Sequence, residues 1–107
     1  MSDTILVHTT FEKKEEAIQL GRILLEKRLI ACAQIDSPVG SLYWWNGEIE
    51  EAREYRLVMK SHQSLFKELE SEIQKNHPYD VPEIVAIAVS AISNDYQKWL
   101  QEVLANG

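Results

Sequence analysis

Hydrophobic and polar positions change their period several times along this chain, and each change marks an element. Residues 4–10, TILVHTT, are β-branched and mostly apolar, the pattern of a central strand covered on both faces. Thr10 stands where a helix N-cap is expected, with Glu12, Glu15 and Glu16 in the first turns and Lys27 and Arg28 at the far end, the order a helix dipole favours. Ala17, Leu20, Gly21, Leu24 and Leu25 give that helix its apolar stripe. Gly21 weakens the helix relative to alanine, so its expected use is close approach to the sheet.

From about residue 31 to residue 60 the pattern becomes that of two extended arms joined by Asn46-Gly47, a pair suited to the positive φ angles of a type I′ turn. Pairing across that turn sets Trp44 opposite Ile49 and Trp45 opposite Glu48, with Tyr55, Leu57 and Met59 alternating further along the return arm. Pro38-Val39-Gly40 interrupts the outgoing arm, where proline cannot donate to a ladder and glycine permits a bulge, so a bend is expected there. Each arm runs for about 14 residues, some 46 Å at about 3.3 Å per residue, whereas a compact domain of this length is roughly 34 Å across. The hairpin therefore outreaches its own subunit. Its aromatic tip, Tyr43, Trp44 and Trp45, asks for burial against another copy of the chain, and geometry alone allows a dimer or a trimer.

A second helix is predicted from Ser61 or His62, with Leu65, Leu69 and Ile73 at every fourth position and Lys75, Asn76 and Pro78 at its end. Residues 84–89, IVAIAV, read as a buried strand. A last helix follows an Asn94-Asp95 cap, its apolar face formed by Tyr96, Trp99, Leu100, Val103 and Leu104. The order is β-α-β-β-α-β with an added C-terminal helix. It predicts one domain over residues 1–107, an α+β sandwich of the split βαβ or ferredoxin-like kind, with a long hairpin between its second and third strands.

Composition narrows the partners. The chain is 107 residues long, 45% hydrophobic and 26% charged, as in an ordinary folded globule. Its 11 Lys and Arg against 17 Asp and Glu leave a net charge of −6, which repels polyphosphate and argues against nucleic acid. No apolar run approaches the length of a membrane span and no basic leader is visible, so neither membrane insertion nor export is expected. The single cysteine, Cys32, cannot form an internal disulfide, and a cytoplasmic location is expected.

Candidate chemistry is sparse. There is no Cys-x-x-Cys, no His-Glu-x-x-His and no glycine-rich phosphate loop. His8, at the end of the first strand, and His77, in the loop after the second helix, are the candidate metal-binding imidazoles, each with a plain alternative as a core or loop histidine. Cys32 sits among Ile30, Ala31 and Ala33 and reads as a small buried hydrophobe with no cation near it in sequence; as a ligand it would suit copper or another thiophilic metal. Glu48, Glu50, Glu51 and Glu54 read as the solvated face of the hairpin. Residues 77–84, HPYDVPEI, differ in kind: two prolines stiffen a loop holding His, Tyr, Asp and Glu together, either as a rigid connection or as a site. No nucleophile, base and orienting group assemble from these motifs, so an enzyme is not expected.

Taken together, Ala31-Cys32-Ala33, the run SLYWWNGEIE at 41–50 and HPYDVPEI at 77–84 resemble the CutA divalent-cation tolerance family over nearly the whole chain. The resemblance implies a ferredoxin-like subunit, a tight homotrimer, a cytoplasmic protein and an association with copper and other divalent cations. The family's copper positions read His8 and Asn76-His77 here, where the imidazoles suit copper and Asn76 is a poor ligand. It further implies a small-ligand pocket between subunits to which Lys60, Tyr79 and Glu83 contribute. The leading expectation is thus a non-enzymatic metal-binding or metal-tolerance protein. The alternative is a trimeric regulatory module similar to PII-like proteins, binding a small anion or metabolite between subunits. Acylphosphatases share the fold type but carry a glycine- and arginine-containing phosphate loop where this chain has Thr9-Thr10-Phe11-Glu12-Lys13. The aromatic and basic strand motifs of RNA-recognition domains are missing as well.

Overall fold

The computed structural model describes residues 3–105. Its elements follow as β1 (Thr4–Phe11), α1 (Lys14–Glu26), β2 (Cys32–Ile35), β3 (Val39–Trp45), β4 (Glu48–His62), α2 (Phe66–Asn76), β5 (Val85–Ala88) and α3 (Asn94–Val103), with a 3-10 turn at Gln63–Leu65 leading into α2. The sheet is antiparallel in the order β2-β4-β1-β5, and β3 also pairs with β4. β1 and β2 flank β4 and so run parallel to each other, while β4 and β5 stand in the same relation about β1. These are the two split βαβ units of the expected ferredoxin-like fold.

Strand alternation assigns the faces. Ile5, Val7, Thr9 and Phe11 of β1 and Leu57, Met59 and Ser61 of β4 are buried, packed with Leu20 and Leu24 of α1 and Leu69 and Ile73 of α2. Gly21 is what lets α1 lie close, because a Cβ at that position would stand 3.3 Å from the Cβ of Ala33 on β2. Leu25, about 100° around the helix from Leu24, is exposed and leaves the stripe one residue narrower than the sequence suggests.

α1 ends with Arg28 at φ 59°, a left-handed position usually filled by glycine. The Arg28 N–H donates to the Leu25 carbonyl and the Leu29 N–H to that of Leu24, each at 3.0 Å. The arginine side chain then donates to the Val103 carbonyl at 3.1 Å, and the Arg28 carbonyl accepts from the Ala105 N–H at 2.8 Å. This residue fastens α3, whose Leu100 and Leu104 close the core while Tyr96 and Trp99 turn outwards.

The hairpin forms as its turn predicts. Asn46 at φ 51° and Gly47 at φ 79° make the type I′ turn, Trp44 faces Ile49 and Trp45 faces Glu48. The bend lies slightly earlier than Pro38-Val39-Gly40, since Val39 and Gly40 already pair with Glu54 and Arg53. From Asp36 to Val39 the outgoing arm takes three steps where β4 takes two, from Arg56 to Glu54. The extra residue is a bulge at Ser37-Pro38, where proline has no N–H to lose. Arg56 clamps it, its Nε and Nη2 standing 2.8 and 2.7 Å from Asp36 Oδ2. The insertion exchanges the faces of the outgoing arm: Ser41, Tyr43 and Trp45 share a face with Glu50 and Glu54, and Trp44 shares the other with Ile49. The described residues extend over 44 × 26 × 24 Å, longer in one direction than the roughly 34 Å of a compact globule.

Other boundaries differ from the sequence reading. β1 continues through Thr10 and Phe11, which pair with Arg56 and Tyr55, so Thr10 is no cap and Lys13 fills the N-cap position without a side-chain bond. β4 continues through Ser61 and His62 because Ser61 pairs with Ile5 and its Oγ donates to the Leu29 carbonyl at 2.6 Å; helical turns begin only after it. Ser93, one residue before Asn94, caps α3 by accepting from the Tyr96 N–H. β5 is exposed along its length in the single chain, not buried, because it is an edge strand paired only with β1.

Among the described residues one polar atom is out of place in the core: Thr9 Oγ1 is buried without a hydrogen-bond partner. An unsatisfied buried hydroxyl carries a desolvation cost of about 1–3 kcal/mol, which Thr9→Val removes at nearly equal volume. The variant is expected to gain about 1 kcal/mol of stability. A denaturant titration would show this as a higher midpoint at unchanged slope, and a lowered midpoint would mean that the hydroxyl is satisfied in solution.

Candidate functional site

The end of β1, the bulged part of the hairpin and the loop before β5 meet at one edge of the molecule. Pro78 disfavours helical backbone in the residue before it, so α2 stops at Asn76 and His77 is extended, at φ −95° and ψ 138°. That turn lays the His77 ring on Phe11, with centroids 4.2 Å apart and planes 13° apart. The Tyr79 N–H donates to His77 Nδ1 at 3.1 Å, which requires that Nδ1 carry no proton; the proton is on Nε2 and points to the Thr10 carbonyl at 2.9 Å. Both ring nitrogens are therefore engaged. Burial holds the His77 pKa below its ordinary value of 6.5, against weaker opposing pulls from the Thr10 carbonyl and from Glu16 and Glu54.

Tyr79 continues the chain of contacts. Its ring meets His77 edge-on, with centroids 4.7 Å apart, and its hydroxyl donates to Glu54 Oε2 at 2.7 Å. Burial, and then the bond to Glu54, push its pKa upwards, which keeps the hydroxyl a donor. Glu54 is only 6% exposed, which corrects its reading as part of a solvated hairpin face. The loop carrying Tyr79 reaches it from 25 positions away in the sequence. Its other oxygen, Oε1, has no protein partner among the described residues.

Glu54 lines a cleft of about 710 Å³. Glu12, Glu50, Asp80 and Glu83 line it as well, and no lysine, arginine or histidine does. Tyr43, Trp45 and Tyr79 add aromatic surface, and Thr10 and Ser41 add hydroxyls.

The fold sorts the expected site residues into separate places. Tyr79 and Glu83 share the cleft, but Lys60 lies elsewhere. It stands opposite Cys32 in the β2–β4 register and donates to Gln34 Oε1 at 3.1 Å, with its Nζ 3.6 Å from Cys32 Sγ and 5.8 Å from the centroid of Tyr96. Cys32 thus has a neighbouring cation that sequence order hides. It is only partly buried, and its sulfur also meets the Tyr96 hydroxyl at 3.7 Å. His8 and His77 are not brought together: His8 lies three positions before Phe11 on β1 and faces the other side of the sheet, between Val58 and Val85. Among the described residues, the His8 side chain has no hydrogen-bond partner. Asn76 turns back onto its own helix, donating to the Glu72 carbonyl at 2.9 Å. No three His, Cys, Asp or Glu side chains gather as a metal site among the described residues. At the hairpin tip Trp44 is 71% exposed, with Leu42 and Ile49 similarly open.

Residues 5–103 match the model of the CutA1 divalent ion tolerance protein family. The chain belongs to this family. It is 44% identical over 98 residues to the divalent-cation tolerance protein CutA of Pyrococcus horikoshii, spanning 92% of this chain and 95% of that one. To the CutA of Thermotoga maritima it is 43% identical over 98 residues, covering 92% and 96%. The solved CutA1 of Oryza sativa superposes with a TM-score of 0.94 at 30% identity, covering 99% of this chain and 97% of that one. CutA relatives are named for different compartments, chloroplastic in Arabidopsis thaliana and periplasmic in the Archaeoglobus fulgidus structure. In this CutA chain, no helix among the described residues is long and apolar enough to cross a membrane.

The buried His77 gives the stability of this chain a pH dependence of definite sign. Its folded pKa lies below the ordinary value of 6.5, so its contribution is complete above that pH and is lost as the pH falls, because the unfolded chain takes up the proton first. The thermal midpoint is expected to fall on acidification through pH 6.5. His77→Gln cannot titrate and is expected to flatten that part of the curve; equal slopes for the two proteins would assign the effect to other groups.

Proposed function

We propose that this chain is a non-enzymatic divalent-cation tolerance protein of the cytoplasm, working as a homotrimer and holding copper or another divalent cation. Family membership supports the cation. The observation that carries the ligand assignment is His8, an imidazole without hydrogen-bond partners among the described residues, set between Val58 and Val85 on a sheet face it shares with Leu6, Ile87, Gln34, Arg56 and Lys60. Neutral imidazole is a good ligand for copper and its first-row neighbours. His77 is the second imidazole, and to coordinate it must give up a bond that now orders its loop. One chain gathers no set of three ligands among its described residues, so the remaining ligands come from other subunits or from water.

The trimer is supported by the apolar ribbon face of Leu42, Trp44 and Ile49 and by the neighbouring Tyr43 and Trp45, more exposed apolar surface than a lone subunit leaves in water. A cytoplasmic site agrees with a single cysteine that has no partner in the chain. The reading as an anion sensor is less well supported, because the cleft holding Tyr79 and Glu83 is lined by carboxylates without a base.

Calorimetric titration with copper tests the ligands. His8→Ala is expected to weaken binding by roughly tenfold or more, His77→Ala by less, and Cys32→Ser not at all. Undiminished affinity in both histidine variants would remove them from the site. Light scattering tests the assembly: the unmodified protein is expected to be a trimer, and Trp44→Glu, which sets a charge on the ribbon face, to dissociate. A well-folded monomer of the unmodified chain would end the proposal of a site between subunits.

A further inference from the structure

We propose that Cys32 and Lys60 form a peroxide-sensitive pair that closes into a reversible covalent bridge between the cysteine sulfur and the lysine nitrogen. This goes beyond the divalent-cation reading, since it uses neither His8 nor His77 and needs no metal ion. The cysteine does not stand alone. Antiparallel pairing sets Cys32 of β2 directly opposite Lys60 of β4, so both side chains rise from the sheet face turned away from α1 and α2. Lys60 Nζ lies 3.6 Å from Cys32 Sγ, and Gln34 Oε1 accepts from the same nitrogen at 3.1 Å, which holds it over the strand pair. The Tyr96 hydroxyl meets the sulfur at 3.7 Å. Lys60 is half-buried, and although the chain has 17 Asp and Glu, it forms no ion pair with a carboxylate among the described residues. Its neighbours are an amide, the thiol and the Tyr96 ring, whose centroid is 5.8 Å away. Sulfur reacts as the thiolate, and that anion here faces an ammonium that has no other counter-charge among the described residues.

The chemistry runs in two steps with hydrogen peroxide as the oxidant. The Cys32 thiolate attacks one peroxide oxygen and the O–O bond breaks. Sulfur is oxidised to the sulfenic acid, and the hydroxide that leaves takes a proton from the Lys60 ammonium and becomes water. The neutral amine then attacks the sulfur: the S–N bond forms, the S–O bond breaks, and the departing oxygen leaves as a second water with a proton from the nitrogen. Thiolate, ammonium and peroxide thus give one bridge and two waters. Sulfenic acids close in this way on a backbone nitrogen, and an amine is the stronger nucleophile. Cys32 is the only cysteine, so a disulfide within the subunit is not open to it, and Lys60 Nζ is the nucleophile in contact. Peroxide is scarcely larger than water and reaches a sulfur that is only partly buried. A thiol reductant attacks the bridged sulfur and returns both side chains. While closed, the bridge removes one cation from this face and ties the edge strand β2 to β4.

The test uses the native oligomer in the presence of a chelator, with hydrogen peroxide as probe, followed by intact mass measurement and peptide mapping. Loss of two hydrogens per chain, a cross-link joining the peptides of Cys32 and Lys60, and its disappearance with dithiothreitol are expected. Lys60→Arg keeps the positive charge but is expected to lose the bridge, leaving a sulfenic acid that dimedone traps. Cys32→Ser is expected to lose the mass change altogether. The bridge is expected to form unchanged in His8→Ala, so failure here and failure of the metal reading are distinguishable. If Lys60→Arg does not assemble, the cross-link map of the unmodified protein decides alone. Oxidation of Cys32 to a sulfinic acid or to a disulfide between chains, with no link to Lys60, would overturn the proposal, as would a thiol that peroxide leaves unchanged. The same loss of two hydrogens in a natively assembled Lys60→Arg protein would overturn it too.

Discussion

Everything in this molecule depends on how the 15 residues of β4 find backbone partners. Unpaired peptide groups in a sheet are costly, and no other strand is long enough to serve β4 from end to end. β1 covers Tyr55 to His62 on one side, while β2 and then β3 share the other, in registers that differ by one residue. The inserted residue at Ser37-Pro38 reconciles them. Without it the outgoing arm would run straight past Asp36 and present its other set of side chains, because strand alternation turns a slip of one residue into a change of face. The Arg56–Asp36 contact holds the junction where the sheet gives way to the free ribbon.

That single insertion divides the ribbon into two chemically different sides. One carries Trp44 and Ile49, apolar and open; the other carries Tyr43, Trp45, Glu50 and Glu54, turned towards the loop that precedes β5. The loop is itself pinned to the sheet through stacked contacts, His77 on Phe11 and Tyr79 against His77, and it ends on Glu54. The two sides of one ribbon thus differ in chemistry while sharing the same two strands.

Much of this was legible in the sequence because it depends on neighbours along the chain. Asn46-Gly47 specifies its turn, and the turn specifies the pairing of Trp44 with Ile49; the four-residue spacing of Leu65, Leu69 and Ile73 specifies the face of α2. What escaped depends on pairings between distant segments. Glu54 looks like one more surface carboxylate until Tyr79 reaches across to it, and Cys32 has no cation near it until the β2–β4 register sets Lys60 opposite. Thr10 has the chemistry of a cap, yet β4 claims it for the sheet through Arg56. His8 and His77 could be placed on their elements, but only the parity of β1, with Phe11 taken to the helix side, separates them to opposite faces.

The fastening of α3 by Arg28 bears on the order in which the molecule comes together. Its bond to Val103 closes a loop of 75 positions, whereas the ribbon turn joins residues that are adjacent from the outset. Local hairpins zip within about 1–10 μs, and contacts of long sequence separation are slower because chain entropy must be lost before they form. The tryptophan-bearing ribbon therefore needs only local closure, whereas covering the core with Leu100 and Leu104 needs a long-range one. The molecule's most exposed apolar surface thus rests on the most local contacts, and the closure of its core on the most distant.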